Sequence, residues 1–319
     1  MPRRAAVTGV AFVLLALAAA PPAMASTARP VRYVALGDSY SSGNAAGWYW
    51  DTTCFNSHLN YASRLGWELF VRGRRGYTMT QAPSCSGAQT GRMAPPYGSA
   101  LGGYFVPQEQ RPGHVRAAQR DFLTHVYQRS DGTLGPAFDG AEVGLVTITI
   151  GGNDIGFADT VIACTVDLTP CTDREASTLD AIVRLGPVLQ EVYADIAVQA
   201  PNARIRVINY PAPVSTATAP YCRSLGAGIG ISDDEVAFFA RAQDALNAQI
   251  AAAVTAVRAT AGDRLRLVDV ATHFRGHEAC AGSQDWMRGI WLVPGFVEES
   301  YHINDRGHLE IARLLADSL

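Results

Sequence analysis

The sequence predicts an α/β fold built on a mostly parallel, five-stranded sheet with helices on both faces. Three observations point there. Short apolar runs alternate with longer stretches of helical periodicity along most of the chain. No long Pro/Ser/Gly run, charge block or internal repeat divides them, so residues 26–319 read as one domain. Two strand-like runs end in Gly-rich turns that carry polar residues, and in parallel sheets ligands bind at the carboxyl ends of strands.

Residues 1–25 have the form of a secretory signal peptide. Arg3 and Arg4 give a positive start, residues 5–20 are apolar and uncharged, and Ala23-Met24-Ala25 is a small-x-small cleavage site. The apolar stretch is short for a membrane span and Pro21-Pro22 ends it, so secretion without stable membrane insertion is expected. The formal charge is −3; the leader holds two arginines and no acid, so the remainder is near −5. That balance argues against nucleic acid as a partner.

Residues 31–36 form the first strand, since five of the six favour a buried strand and the run is too short for a helix. Residues 59–70 have helical spacing, with Asn56 or Ser57 as the cap. Residues 77–82 read as a strand, 91–112 as irregular and 115–127 as a helix. The strongest strand is 143–150. A helix spans 175–200, with Pro187 as a kink or break. Strand 204–209, helix 233–261, strand 265–270 and an amphipathic helix over 305–319 complete the chain.

Six cysteines, Cys54, Cys85, Cys164, Cys171, Cys222 and Cys280, fit three disulfides in a secreted chain. Spacing alone does not choose among the 15 pairings that six cysteines allow, though sequential pairing is the simplest.

Chemistry concentrates in four stretches. Gly37-Asp38-Ser39 delivers a hydroxyl at the end of the first strand. Cys85-Ser86-Gly87-Ala88 offers a backbone N–H where glycine permits close approach. Gly151-Gly152-Asn153-Asp154 ends the strongest strand; the Asn153 amide can donate to an oxyanion, and Asp154 can cap the next helix. Glu299-Ser300-Tyr301-His302 precedes the final helix and supplies a base, with His308 as competitor. Each of the first three alone also reads as a turn. A nucleophile, a base and oxyanion donors together are what ester hydrolysis by serine requires.

In this order the four stretches resemble the SGNH/GDSL hydrolase family, and most closely its secreted actinobacterial lipases, esterases and phospholipases A1. The resemblance implies a flavodoxin-like three-layer α/β/α sandwich, the SGNH hydrolase fold. It implies Ser39 as nucleophile, His302 as base, and an oxyanion hole from the Ser39 N–H, the Gly87 N–H and the Asn153 side chain. It also implies the pairs Cys54–Cys85, Cys164–Cys171 and Cys222–Cys280, and no metal or organic cofactor. The sequence departs from the family pattern twice. Glu299 stands where Asp is usual, so a triad through its carboxylate and a dyad through its backbone carbonyl are both open; Ile303 stands where Pro is common.

The expectation is a secreted, monomeric serine ester hydrolase acting on fatty-acyl esters, lipids included. Trp48, Tyr49, Trp50, Tyr104, Phe105, Trp286, Trp291 and Phe296 could line an acyl pocket, fill the core or stack on sugars. Rival readings are an acetyl-carbohydrate esterase, an acyltransferase, and a lipid- or glycan-binding protein on the same fold. His273 and His277, with Glu278 and Cys280 nearby, have a spacing that could bind a metal, but Gly276 weakens the helix this would need.

Overall fold

The computed structural model describes residues 31–74, 77–93, 102–111, 114–166, 171–214, 224–226, 229–291 and 297–319. The expected leader, residues 1–25, lies outside them, as do Cys222 and Phe296. Five parallel strands form the central sheet: β1 (Val31–Gly37), β2 (Tyr77–Gln81), β3 (Val143–Thr149), β4 (Arg204–Ile208) and β5 (Leu265–Val268). Their order across the sheet is β5-β4-β3-β1-β2. The chain therefore winds one way from β1 to β2 and the other way from β3 onward. The crevice between β1 and β3 is the switch point at which doubly wound sheets place their ligands.

Each strand end matches its sequence reading to within two residues. The central strands are mostly apolar because both faces are covered. Leu36, Leu145, Ile148 and Ile205 are all fully buried. Right-handed crossovers put the helices on opposite faces. Helices α2 (Tyr61–Val71) and α7 (Asp305–Ser318) pack together on one face. Helices α4 (Glu175–Gln199) and α5 (Asp233–Ala261) pack on the other. Three shorter helices complete the set: α1 (Ser39–Ser42), which precedes α2, and α3 (Phe157–Val166) and α6 (Val270–His273), which lie between the others in sequence.

Several local readings are corrected. Helix α2 is capped by Asn60, whose side chain accepts from the Ser63 N–H at 2.8 Å, and not by Asn56 or Ser57. Those two residues instead form a short hairpin strand against Tyr49–Asp51. Helix α4 runs unbroken through Pro187, which sits on the exposed side, where the carbonyl left without its helical donor faces solvent. Irregular structure was expected over 91–112, but Gln108–Arg111 pairs with His114–Arg116 in a second hairpin.

The expected helix over 115–127 is absent: beyond His114–Arg116 there is a single 3-10 turn, Gln119–Leu123. The physical cause is tertiary. The Gln119 carboxamide accepts from the Gly37 N–H at 2.7 Å and donates to the Gly37 carbonyl at 2.9 Å, so this segment is pinned to the end of β1. Helix α3 was not anticipated, because its apolar residues make no clean amphipathic stripe.

Two expected disulfides are formed, Cys54–Cys85 and Cys164–Cys171. Cys280 is also disulfide-bonded. Its expected partner, Cys222, is outside the described residues.

Candidate active site

The site grows out of the end of β1. Gly37 turns the chain with a φ of 123°, and a side chain there would collide with the Thr149 carbonyl at 2.3 Å. Only glycine fits so close to β3. The Asp38 N–H then donates to the Thr149 carbonyl at 2.9 Å, and the Asp38 carboxylate caps α1 by accepting from the Tyr40 N–H at 3.0 Å. Ser39 is thereby the first residue of α1, buried at the switch point between β1 and β3.

Asp38 is wholly buried, and desolvation pushes its carboxyl up to about 7. Its second oxygen accepts from the Tyr210 hydroxyl. That same hydroxyl accepts from the Gly152 N–H at 2.9 Å. One tyrosine beyond the end of β4 thus joins the turn after β1 to the turn after β3.

His302 reaches Ser39 from the loop before α7: its Nε2 lies 2.7 Å from the Ser39 Oγ. Its Nδ1 lies 3.0 Å from the Ser300 carbonyl. A carbonyl can only accept, so Nδ1 carries the proton and Nε2 is free to accept from the serine. Burial holds the imidazole down to about 4, partly opposed by the bond to Ser300, so it is neutral at pH 7. Tyr301, between the two, has a left-handed φ of 57°. A non-glycine residue rarely adopts this conformation, and here it turns the ring back onto a carbonyl two residues earlier. The Tyr40 ring packs on His302 at 5.2 Å, and its hydroxyl donates to the Tyr301 carbonyl at 3.0 Å.

This arrangement differs from both expectations for Glu299. Its carboxylate accepts from the Tyr49 hydroxyl at 2.6 Å and faces the Arg288 Nε at 3.3 Å. Its carbonyl accepts from the His302 backbone N–H at 3.3 Å. Neither group meets the imidazole, because the turn at Tyr301 brings the nearer carbonyl of Ser300 to Nδ1.

The three expected donors come from three loops. Gly87 has a φ of 78°, and the space beside it is open to the Gln108 carboxamide at 3.8 Å. Asn153 lies in a 3-10 turn after β3. Its Nδ2 donates to the Ala88 carbonyl at 3.0 Å, while the Gln89 side chain donates to the Asn153 carbonyl at 3.0 Å. One amide proton is used to fix the side chain and the other remains for a ligand. Among the described residues, the backbone N–H groups of Ser39 and Gly87 donate to no protein acceptor. Asp154 does not cap a helix. It is buried and accepts from the Thr90 N–H and hydroxyl, and desolvation raises it to about 6.

The remaining candidates separate. His308 is fully buried, and its Nδ1 accepts from the Tyr61 N–H at 3.3 Å, so it is a packing residue. His277 stacks on Trp286 at 3.7 Å while His273 faces Glu310 at 3.9 Å, so the two histidines do not converge on one ligand. Among the described residues the one cluster of metal-type side chains is Cys164, Cys171 and Glu235, whose cysteines are bonded to each other.

The aromatic set divides as well. Tyr104 and Trp286 belong to the core, whereas Trp48, Trp50 and Trp291 are 70%, 46% and 39% exposed. Trp50 and Trp48 flank Tyr49, whose hydroxyl accepts from the Ala45 N–H at 3.0 Å. The Trp291 backbone N–H donates to the Ser300 hydroxyl at 2.9 Å.

The family model described as the GDSL-like lipase/acylhydrolase family matches residues 35–309. Lipase 1 of Streptomyces coelicolor is 34% identical over 286 residues, covering 88% of this chain and 84% of that protein. A lipase of Streptomyces rimosus is 33% identical over 312 residues, covering 96% and 94%. The crystal structure of an extracellular lipase from Streptomyces rimosus superposes with a TM-score of 0.63 at 29% identity, over 91% of this chain and 100% of that one. Phospholipase A1 from Streptomyces albidoflavus shares the fold, with a TM-score of 0.63 at 24% identity over 91% of this chain and 100% of that one.

Proposed function

Because the chain belongs to the GDSL-like lipase/acylhydrolase family and is an ester-hydrolysing enzyme, we propose that Ser39 and His302 form its catalytic dyad and that its substrates are fatty-acyl esters. The carrying observation is the 2.7 Å approach of His302 Nε2 to Ser39 Oγ with Nδ1 committed to the Ser300 carbonyl. The Ser39 hydroxyl gives its proton to Nε2 as Oγ attacks the ester carbonyl. The Ser39 and Gly87 N–H groups and the Asn153 amide receive the oxyanion. The imidazolium returns the proton to the departing alcohol, leaving an acyl-enzyme on Ser39. Water then gives a proton to Nε2, attacks the acyl carbonyl, and releases the fatty acid as Ser39 regains its hydroxyl. The Ser300 carbonyl stabilises the transient imidazolium as a neutral acceptor, in place of a carboxylate.

The exposed Trp291, whose backbone N–H donates to the Ser300 hydroxyl two residues before His302, supports an apolar acyl group over a small acetyl group. We further propose that residues 26–319 form one secreted domain after removal of residues 1–25. Among the described residues no helix is long and apolar enough to cross a membrane. The test is hydrolysis of p-nitrophenyl esters from acetyl to palmitoyl by the mature protein and by Ser39→Ala. Activity peaking at medium or long chains and lost in the variant is expected. Activity confined to the acetyl ester would move the substrate to acetylated carbohydrates.

A further inference from the structure

Asn44 is 1% exposed and lies five residues beyond Ser39. Its backbone N–H donates to the Ser39 carbonyl at 3.2 Å, closing the turn that carries the nucleophile. Its side-chain Nδ2 donates to the Ser86 hydroxyl at 3.3 Å, in the loop that leads into Gly87. The same nitrogen donates to the Glu298 carbonyl at 3.1 Å, in the loop that carries His302. The orientation of the amide follows from chemistry: the Glu298 carbonyl accepts only, so the nitrogen and not Oδ1 must face it. Oδ1 is buried and has no hydrogen-bond partner among the described residues. The amide thus leaves one acceptor unmet while both of its protons bridge to separate loops, an arrangement that packing alone does not require. Ser86 is held from its other side as well, where the Gln108 amide donates to its carbonyl at 3.1 Å.

We propose that Asn44 is a positioning residue that holds the Ser39 turn, the Gly87 loop and the His302 loop in one register, so that nucleophile, oxyanion donor and base are preorganised together. The inference rests on the Ser39–His302 reading above. The three groups come from segments more than 250 residues apart at the extremes, and each must stay within a fraction of an ångström of its working place.

The test is Asn44→Ala in the full-length mature enzyme, with competent sites counted by a fluorophosphonate that labels the nucleophilic serine. Counting sites removes any loss due to unfolded protein, which is all that a merely structural role would produce. The expected result is a fall in kcat per labelled site of at least about tenfold, with KM for a soluble short-chain ester held within about threefold. A smaller fall in kcat per labelled site overturns the proposal. Should Asn44→Ala not fold, Ser86→Ala removes one arm of the bridge; it is expected to lower kcat per labelled site at least about threefold, and a smaller effect overturns the proposal equally. Failure of the parent enzyme to be labelled at Ser39 would refute the catalytic reading itself, a result separate from either variant.

Discussion

Glu299→Gln separates a dyad from a triad. The Glu299 side chain is only 6% exposed, yet both of its oxygens are engaged away from His302, one by Tyr49 at 2.6 Å and one by Arg288 at 3.3 Å. Glutamine keeps an acceptor for the Tyr49 hydroxyl and loses only the charge opposite Arg288. That guanidinium also donates to the Ala45 carbonyl at 2.9 Å, lies over the Trp291 ring at 4.8 Å, and is 28% exposed, so it is not stranded without partners. The cost to stability is therefore about 1–3 kcal/mol, below the full penalty of breaking a buried pair. At about 2–4 °C per kcal/mol for a chain of this order of size, Tm falls by several degrees. Turnover per labelled serine should change by less than about threefold, because the His302 tautomer is set by Ser300. Amide replacement of a true triad acid costs about 10⁴ in kcat by forcing the wrong tautomer. Steady-state kinetics on p-nitrophenyl butyrate, normalised to fluorophosphonate-labelled sites, reads the difference. A loss beyond about 10³ would refute the assignment of Ser300 and restore Glu299 as the acid.

Asn153→Ala removes one of the proposed oxyanion donors and also frees the Ala88 carbonyl, so kcat should fall by about 10²–10³ with little change in KM, as read by initial rates over a substrate series. In the pH profile, His302 is held down to about 4, so kcat/KM should rise through about pH 4 and then show no further histidine limb up to neutrality. The stability sign follows from the same shift. His302, and His308 held down to about 3, both bind fewer protons folded than unfolded, so their contribution to stability is full above pH 6.5 and is lost as pH falls from there toward 3, while Asp38 and Asp154, raised to about 7 and about 6, bind more protons folded and oppose it over the same range. Urea midpoints of the parent and of His308→Gln between pH 7 and 4 isolate the histidine part: the variant should lose less stability on acidification than the parent, and an equal or larger loss would contradict it.

The chain's architecture was legible where local chemistry and tertiary context agree. The largely apolar run before Gly37 and the one before Gly151 fix β1 and β3, because strands buried on both faces carry few polar residues to blur them. The glycine turns after them gave away Ser39 and Asn153 for the same reason. What stayed hidden has no side-chain signature or acts over long range. A backbone carbonyl such as Ser300 looks like every other carbonyl in a sequence, whereas Glu299 beside it has the form of a triad acid. Tyr210, which joins Asp38 to Gly152, lies between Asn209 and Pro211 with nothing local to mark it. Gln119 was read as part of a helix because its neighbours repeat at helical spacing, yet two bonds to Gly37 outweigh that propensity.

The most direct test of the central claim is fluorophosphonate labelling of the mature protein followed by peptide mass spectrometry, with His302→Ala in parallel. The dyad predicts a single modified site at Ser39, labelled rapidly at pH 7 and far more slowly in the variant. A folded protein that leaves Ser39 unmodified, or labels it equally fast without His302, would contradict the account.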